Sequence, residues 1–381
     1  MSHDEVRQYL KSITPLPGAI DDFVAKRAGP DGQHPHRGWT YDSDLGFVHT
    51  DTVRPGAGVG GATVFHRYEE NGARRVIHHA DRPCRLHTFG DSFTHCDQVN
   101  DGETWQEYLA AHLQEPIRNY GVGGGSVYQA YRRMKKMHFE GEHVVPHVII
   151  NIFSHDHYRN LWSCDRRIAR HPRPHLRINV ARGEYTEHES ATPTGQDLYR
   201  LCDTEFLYEQ YHDDPMVHME LARNGPPEKR SHYLGQVCND FGLPVPPGSE
   251  DQIEQRLERV HTEAALFSTQ RVVEMAERFC RETQKALMFV LSYQRGRLME
   301  VRQQGSRFDE AFVNWLKRRN CPVVDMCEKF DEAWRPSKLS LDEFLDQYYI
   351  GHHTPAGNFF TAWSIKDTLV DWLDPKPLPY R

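Results

Sequence analysis

The chain has 381 residues, enough for one large domain with additions or for two domains. Its formal net charge of −8 gives no basic footprint for nucleic acid, and its aromatic content of 11% argues against disorder. No apolar run approaches the roughly 20 residues of a membrane span, and the first residues lack the features of a signal peptide. The sequence therefore predicts a cytoplasmic protein whose eight scattered cysteines are reduced.

The first 83 residues are predicted to form an appended β-rich arm. Segments 64–68 and 75–78 have the composition of short strands, and Glu70-Asn71-Gly72 between them is a turn signal. This pattern predicts a hairpin within the arm.

From residue 84 onward, strand-like and helix-like segments alternate. The run Val148-Ile149-Ile150-Asn151-Ile152 is typical of a strand buried on both faces. A polar, proline-containing stretch at about 160–250 interrupts the alternation and is predicted to be an insertion that covers or flanks the site. The pattern predicts a parallel sheet between helical layers, with the site at the carboxyl ends of the strands. The predicted strands are 85–89, 117–120, 144–153, 286–291 and 322–326, and the predicted helices are 104–113, 127–137, 252–284, 308–317 and 355–373.

The most informative turn is Gly90-Asp91-Ser92, which lies between a predicted strand and a predicted helix. A serine in that position can present its hydroxyl to a substrate while its N–H binds an anion. Gly90 permits the tight turn, and Asp91 can bond to the loop backbone. The alternative interpretation of Ser92 is a helix-capping serine.

Three later segments also lie where strands end or helices begin. The glycine-rich segment 119–126 exposes backbone N–H groups, and no lysine follows its last glycine, so nucleotide binding is disfavoured. After the buried strand comes His155, which could donate a hydrogen bond to an oxyanion. His352 and His353 precede the last helix, and either could accept a serine proton. The alternatives are a flexible turn, a polar loop and surface histidines.

Together these four segments resemble the SGNH (GDSL-type) hydrolase family. Residues 88–94, 119–124, 153–156 and 350–358 are similar to its four sequence blocks in the correct order. The resemblance covers roughly residues 84–160 and 265–375. It implies a three-layer α/β/α sandwich with a parallel, flavodoxin-like sheet, and a catalytic domain over 84–375 that contains the insertion.

The resemblance also implies roles for individual residues. Ser92 takes the place of the nucleophile, and the family's H-x-x-P-x-G spacing selects His352 as the general base. The oxyanion hole falls on the N–H groups of Ser92 and Gly124 and on His155. Asp91, Asp156 and His353 take supporting positions.

Two departures from the family pattern affect this assignment. His155 stands where the family has an asparagine, and Tyr349 and Ile350 stand where its acid would precede the histidine. The nearest upstream acid is Asp346. A Ser–His dyad, or an acid supplied from elsewhere in the chain, is implied.

The expected reaction is hydrolysis of a short-chain or carbohydrate O-acetyl ester through a Ser92 acyl-enzyme, with no cofactor and no metal. The expected partner is a small-molecule or carbohydrate ester, which arginines of the insertion at positions 159, 166, 167 and 170 could meet. Three alternatives remain open: an O-acyltransferase that uses the same acyl-enzyme, a non-catalytic binding module, and a metal-dependent hydrolase. The metal ligands would come from His95, His155, His157, His352 and His353.

Overall fold

The computed structural model describes residues 1–21, 38–141, 145–163 and 172–381. Its contacts divide the chain into two compact units. One unit comprises Met1–Val48 and His157–Arg271, and the other comprises His49–Asp156 and Val272–Arg381. The division into an arm of residues 1–83 and a hydrolase domain of 84–375 stays a prediction.

The regular elements are numbered in chain order. The strands are β1 (Trp39–Asp42), β2 (Gly46–His49), β3 (Thr52–Arg54), β4 (Val64–His66), β5 (Leu86–Phe89), β6 (Arg118–Asn119), β7 (His147–Phe153), β8 (His175–Asn179), β9 (Glu184–His188), β10 (Ala286–Ser292) and β11 (Val323–Asp325). The helices are α1 (His3–Ile13), α2 (Ser92–His95), α3 (Trp105–Leu113), α4 (Val127–Phe139), α5 (Asp156–Arg159), α6 (Thr204–Tyr211), α7 (Pro215–Asn224), α8 (Arg230–Phe241), α9 (Ile253–Glu282), α10 (Arg295–Gln304), α11 (Glu310–Lys317), α12 (Met326–Trp334), α13 (Leu341–Asp346) and α14 (Pro355–Trp372). No helix among the described residues is both long enough and apolar enough to cross a membrane.

A five-stranded parallel sheet forms the centre of the second unit, in the order β11-β10-β7-β5-β6. Every residue of β7 is buried, as its apolar run predicts. The strands predicted for this sheet, and the helices predicted between and after them, are confirmed to within a few residues at their ends. Numbered along the chain, the sheet strands are ordered 2-1-3-4-5, so the connections reverse direction next to β5. In open α/β sheets, ligands bind at the carboxyl ends of the strands beside such a reversal.

Helices of the second unit pack against this sheet and against one another. Helix α4 contacts β5 and β7, and α12 contacts β10. Helix α14 packs along α3 and also contacts β11. The chain is therefore a mixed α/β protein.

The strand predicted at 75–78 is wrong. The N–H groups of Ile77 and His78 donate to the Glu107 carboxylate at 3.1 and 2.8 Å, so they do not pair with a strand. Strand β4 instead pairs antiparallel with β3. The predicted turn does form, with a bridge between Tyr68 and Arg74 and an Arg75 N–H that donates to the Arg67 carbonyl at 2.8 Å, but no strand follows it. The Glu107 carboxylate accepts the two hydrogen bonds that a neighbouring strand would accept if this segment were a strand.

The predicted insertion contains regular structure that its polar composition concealed. Strands β8 and β9 form an antiparallel pair, and helices α6 to α8 follow. Asp214 caps α7, and Gly242 ends α8 in the left-handed conformation. Arginines 166, 167 and 170 lie outside the described residues. That this segment covers the site stays a prediction.

Candidate functional site

Ser92 is the first residue of α2, directly after the turn that follows β5. Gly90 has φ +156°, and a Cβ there would lie 2.1 Å from Thr94 Oγ1 and 2.8 Å from the Asn151 carbonyl oxygen, so only glycine fits. Asp91 Oδ1 accepts the Phe93 N–H at 2.8 Å and caps the helix. The turn thus brings Ser92 to the carboxyl edge of the sheet, where the residue is 7% exposed.

Buried amide side chains from neighbouring elements hold α2 in place through Thr94. Asn119 Nδ2 and Gln106 Nε2 donate to the Thr94 carbonyl at 2.7 and 2.9 Å. Asn151 Nδ2 donates to Thr94 Oγ1 at 3.0 Å. Because four residues form only one helical turn, these contacts rather than the helix itself hold the turn that carries Ser92.

His352 meets this hydroxyl from a position 260 residues away in the chain. Its Nε2 lies 2.8 Å from Ser92 Oγ, which is also 3.2 Å from Asp91 Oδ2. The His352 backbone N–H donates to Gln98 Oε1 at 2.5 Å, and its ring lies 5.1 Å from that of Phe93. An unprotonated Nε2 in this position can accept the serine proton.

His353 is turned away into the core, although it is the next residue. Its Nδ1 lies 3.5 Å from Thr361 Oγ1, and its ring meets the edge of Phe93 at 4.9 Å. Burial lowers the pKa of His353 to about 3, and the neighbouring His352 charge acts in the same direction. The structure therefore brings His352, and not His353, to Ser92.

The glycine-rich segment after β6 is tied down along most of its length. Gly124 has φ +75°, and a side chain there would meet no atom within 4 Å. A Cβ on Gly121 would lie 2.2 Å from the His95 nitrogen, so the segment packs directly against α2. Four N–H donors bind within the protein: Gly121 to Asn119 Oδ1, Val122 to the Gly90 carbonyl, Gly123 to His49 Nε2 and Gly125 to the Val122 carbonyl, each at 2.9 Å.

His155 and Asp156 form the turn after β7. Gln294 Nε2 lies 3.2 Å from His155 Nε2 and donates to it, so the ring proton belongs on Nδ1 when the ring is neutral. Asp156 Oδ2 accepts the Phe153 N–H at 3.3 Å and braces the turn. Asp156, which the family resemblance placed in a supporting role, thus supports the backbone of the turn that carries His155.

Asp346, the nearest acid upstream of His352, is committed elsewhere. Its carboxylate is 66% exposed and lies 2.8 Å from Arg295 Nη2. Asp342 binds the same guanidinium at 2.5 Å. Both acids are held at this half-buried guanidinium, and the structure shows no contact between Asp346 and His352.

Asp97 is an acid that the sequence analysis missed. Its N–H donates to the Ser92 carbonyl at 3.3 Å, and its carboxylate lies 2.5 Å from Arg54 Nη1 and 3.4 Å from His95 Nδ1. Burial alone would raise the pKa of Asp97, but the hydrogen bond and charge of His95, then the charges of His352 and Arg54, hold it well below its usual range. The only signal in the sequence was an acid five residues after Ser92.

Three buried histidines pack together beside α2: His49, His66 and His95, the last residue of that helix. They are called the buried histidine cluster below. The rings of His49 and His95 stack at 4.1 Å, and His66 meets His95 edge-on at 4.8 Å. The Tyr68 hydroxyl binds His95 Nε2. Burial lowers the pKa of His95 to about 4 and also lowers the pKa values of His49 and His66, so all three are neutral near pH 7.

One group of possible metal ligands occurs among the residues that the structure describes. The ligand atoms of His66, His95 and Asp97 lie within 4.8 Å of one another. Of the five histidines considered as ligands from the sequence, only His95 belongs to this group, and His157 instead lies 2.9 Å from Thr269 Oγ1. Asp97, the one anionic ligand, already binds Arg54, so a cation would have to compete with a guanidinium.

Comparisons with known proteins add little to this geometry. No protein-family model matches the chain, and no curated protein matches it. One matching solved structure is that of a "putative lipolytic protein of G-D-S-L family" from Desulfitobacterium hafniense DCB-2. It is 10% identical over 75% of this chain and 99% of that chain, with a TM-score of 0.33. A TM-score this low carries no argument.

Proposed function

We propose that this chain is a serine hydrolase that cleaves an ester bond, with Ser92 as nucleophile and His352 as general base. The observation that carries the proposal is the 2.8 Å contact between Ser92 Oγ and His352 Nε2 at the carboxyl edge of a parallel sheet. Two residues 260 positions apart are brought to hydrogen-bonding distance where ligands bind in open α/β sheets.

In the first half-reaction, Ser92 Oγ attacks the ester carbonyl carbon while His352 Nε2 takes the hydroxyl proton. The carbonyl oxygen becomes the oxyanion of a tetrahedral intermediate. Its proposed donors are the N–H groups of Ser92 and Gly124 and the Nδ1–H of His155. The intermediate collapses when His352 returns the proton to the leaving alcohol, which leaves an acyl group on Ser92.

In the second half-reaction, water replaces the alcohol. His352 takes a proton from the water as its oxygen attacks the acyl carbon, and the same donors hold the oxyanion. Collapse releases the acid and returns the proton to Ser92 Oγ. The cycle needs no group beyond those of the chain, the ester and water.

We also propose that the sheet is the middle layer of a three-layer sandwich. The connection from β5 to β6 crosses the sheet in one direction, and that from β6 to β7 crosses back. Because parallel crossovers are right-handed, α3 and α4 then belong on opposite faces. The contacts of α4 with β5 and β7 support its place as a covering helix.

The test is hydrolysis of short-chain nitrophenyl esters and acetylated sugars by the wild-type chain and by Ser92→Ala. We expect the variant to lose about 10³-fold or more in turnover, and to lose covalent labelling by a fluorophosphonate. Ser292→Ala is the matched control, because Ser292 ends β10 at the same sheet edge and its buried hydroxyl has no hydrogen-bond partner among the residues that the structure describes. Wild-type turnover in Ser92→Ala would remove the proposal.

A further inference from the structure

We propose that His66, His95 and Asp97 form a binding site for one Zn²⁺ ion, with water as the fourth ligand. The ligand atoms of these three residues lie within 4.8 Å of one another. Because His95 ends α2, the ion would brace the short helix that begins with Ser92. Binding of the ion does not depend on the hydrolase activity proposed above, and it can be tested without an ester.

The three residues come from two short segments of the chain. His66 is the last residue of β4, and His95 is the last residue of α2. Cys96 ends α2 in the left-handed conformation, with φ +64°, and the chain turns so that Asp97 Oδ1 lies 3.4 Å from His95 Nδ1. The Cys96 thiol is directed elsewhere and donates to the Thr94 carbonyl at 3.3 Å. The donor set is therefore two imidazoles and one carboxylate.

The distance between His95 Nδ1 and Asp97 Oδ1 suits two ligands of one tetrahedral ion. With bonds of about 2.0–2.1 Å to Zn²⁺, neighbouring ligand atoms of a tetrahedral site lie about 3.3–3.4 Å apart. An octahedral ion with bonds of similar length would hold them about 3.0 Å apart. The observed 3.4 Å is also longer than an ordinary N–H···O hydrogen bond. Because the His66 ligand atom lies no more than 4.8 Å from the other two, its ring has to approach them by about 1.5 Å or less to complete the site.

Two buried ring nitrogens support the site independently of the spacing. His66 is 1% exposed, and His95 is fully buried. Within the described part of the chain, His66 Nε2 has no hydrogen-bond partner, and His95 Nδ1 makes no contact shorter than the one with Asp97. A buried polar atom without a partner lowers stability, so each such atom in a folded protein calls for an explanation. An ion bonded to both nitrogens supplies the missing partner.

Neighbouring side chains orient two of the three ligands. The Tyr68 hydroxyl binds His95 Nε2 and can accept its proton, which leaves the lone pair of Nδ1 for the ion. Arg54 Nη1 lies 2.5 Å from Asp97 Oδ2, whereas Oδ1 is the oxygen near His95 Nδ1. The competition of Arg54 with a cation therefore falls on one oxygen and leaves the other for the ion. Partners of this kind commonly orient metal ligands in proteins.

The donor set and the surrounding charges favour Zn²⁺ over Mg²⁺ and Ca²⁺. Imidazole nitrogen suits Zn²⁺, whereas Mg²⁺ and Ca²⁺ bind through oxygen ligands. Asp97 brings the one negative charge among the three ligands, and its side chain is 18% exposed, which gives an ion access from solvent. Arg74 adds a positive charge beside the site, but its guanidinium is paired with Asp101 at 3.1 Å. A hard cation that depends on charge alone is therefore disfavoured.

The experiment measures the binding of Zn²⁺ and of Mg²⁺ to chelator-treated protein by titration calorimetry. The wild-type chain should bind one Zn²⁺ ion at this site and no Mg²⁺. His66→Gln should weaken Zn²⁺ binding by about 100-fold or more, because loss of even an outer partner of a ligand costs about 10- to 100-fold. His49→Gln is the matched control and should keep the wild-type affinity, since His49 lies in the same cluster but accepts the Gly123 N–H. Equal affinities in wild type and His66→Gln overturn the proposal, and so do equal losses in the two variants.

A spectroscopic test on the wild-type chain covers the case in which His66→Gln does not fold. Co²⁺ in place of Zn²⁺ absorbs visible light strongly in a tetrahedral site and weakly in an octahedral one. The wild-type chain should therefore gain strong visible bands with one equivalent of Co²⁺ and lose them when Zn²⁺ is added. Neither readout involves ester hydrolysis, so each gives the same result whether or not Ser92 is a nucleophile. Weak bands, or no bands, overturn the proposal.

Discussion

His352 and the buried histidine cluster both lie beside the Ser92 turn, yet they occupy opposite environments. The His352 ring is only half-buried and reaches a hydroxyl at 2.8 Å. His49, His66 and His95 are almost fully buried; the His49 ring stacks on that of His95, and His66 meets His95 edge-on. Burial lowers the pKa of His95 to about 4, so this ring cannot exchange protons near neutral pH.

The contrast shows that residue type alone does not identify a general base. A histidine suited to proton transfer needs a hydroxyl within reach and enough contact with water to exist in both charge states. A buried histidine serves instead as a neutral packing group with specific hydrogen bonds. His49 is an example, since its Nε2 accepts the Gly123 N–H at 2.9 Å.

The largest expected effect separates two adjacent histidines. His352→Ala should lower turnover by about 10³-fold or more with little change in Tm, because it removes the proposed general base and leaves the core intact. His353→Ala should keep more activity but lose about 2 kcal/mol or more of stability, because it opens a cavity beside Phe93. Ester kinetics and thermal unfolding measure the two effects. A severe kinetic loss in His353→Ala with normal activity in His352→Ala would reverse the assignment.

A second prediction concerns His155, whose ring is held by Gln294. His155→Ala should lower kcat by about 10²-fold, the usual cost of one oxyanion donor, with a smaller change in KM. His155→Asn should recover part of that loss, because an amide can donate to the same oxygen. Steady-state kinetics on both variants decide the point. A fully active His155→Ala enzyme would exclude the donor role.

A third prediction uses the neutral state of the buried cluster. The pKa of His95 is about 4 in the folded chain and near 6.5 in an unfolded one, so the unfolded state binds more protons between these values. The contribution of neutral His95 to the free energy of unfolding should be fully present above about pH 6.5. It should fall as the pH drops towards 4, by up to about 1.4 kcal/mol per pH unit.

Urea unfolding between pH 4.5 and 7.5 measures this slope. His95→Gln should reduce it, whereas His232→Gln, at an exposed position, serves as the matched control. An equal slope in wild type and in His95→Gln would contradict the prediction, because it would show that the His95 ring binds its proton as readily in the folded chain as in the unfolded one.

The smallest effect is expected at Gln98, which accepts the His352 N–H at 2.5 Å. Gln98→Ala should loosen the segment that carries His352, the proposed base, and lower kcat about 10-fold. Gln98→Glu keeps an acceptor and should lose less. The ratio of the two turnover numbers checks this, and equal losses would mean that the hydrogen bond does not position His352.

Much of the central fold could be predicted because its signals are local. The apolar run of β7 and the helical spacing of α9 and α14 specify their elements directly. Segment 75–78 could not be predicted, because the N–H groups of Ile77 and His78 bind Glu107, a residue about 30 positions away. The polar insertion concealed its helices because its apolar positions are sparse.

Of the candidate site, the sequence predicted the Ser92 turn and the choice of His352 over His353 for contact with it. The spacing to Pro355 and Gly357 supplied the second prediction. Asp97 could not be predicted, because its contacts with Arg54 and His95 depend on how the chain folds. Whether these residues catalyse a reaction stays a prediction until it is measured.

Arg74, which precedes β5 in the chain, holds the loop that follows α2. This buried guanidinium donates to the carbonyls of His95, Cys96 and Val99 at 2.5, 2.8 and 2.5 Å, and to Asp101 at 3.1 Å. The loop that carries Asp97 therefore takes its shape from an arginine that precedes the first strand of the sheet. A transfer of the sheet and its Ser92 turn into another protein would therefore have to include Arg74, because the loop after α2 depends on its hydrogen bonds.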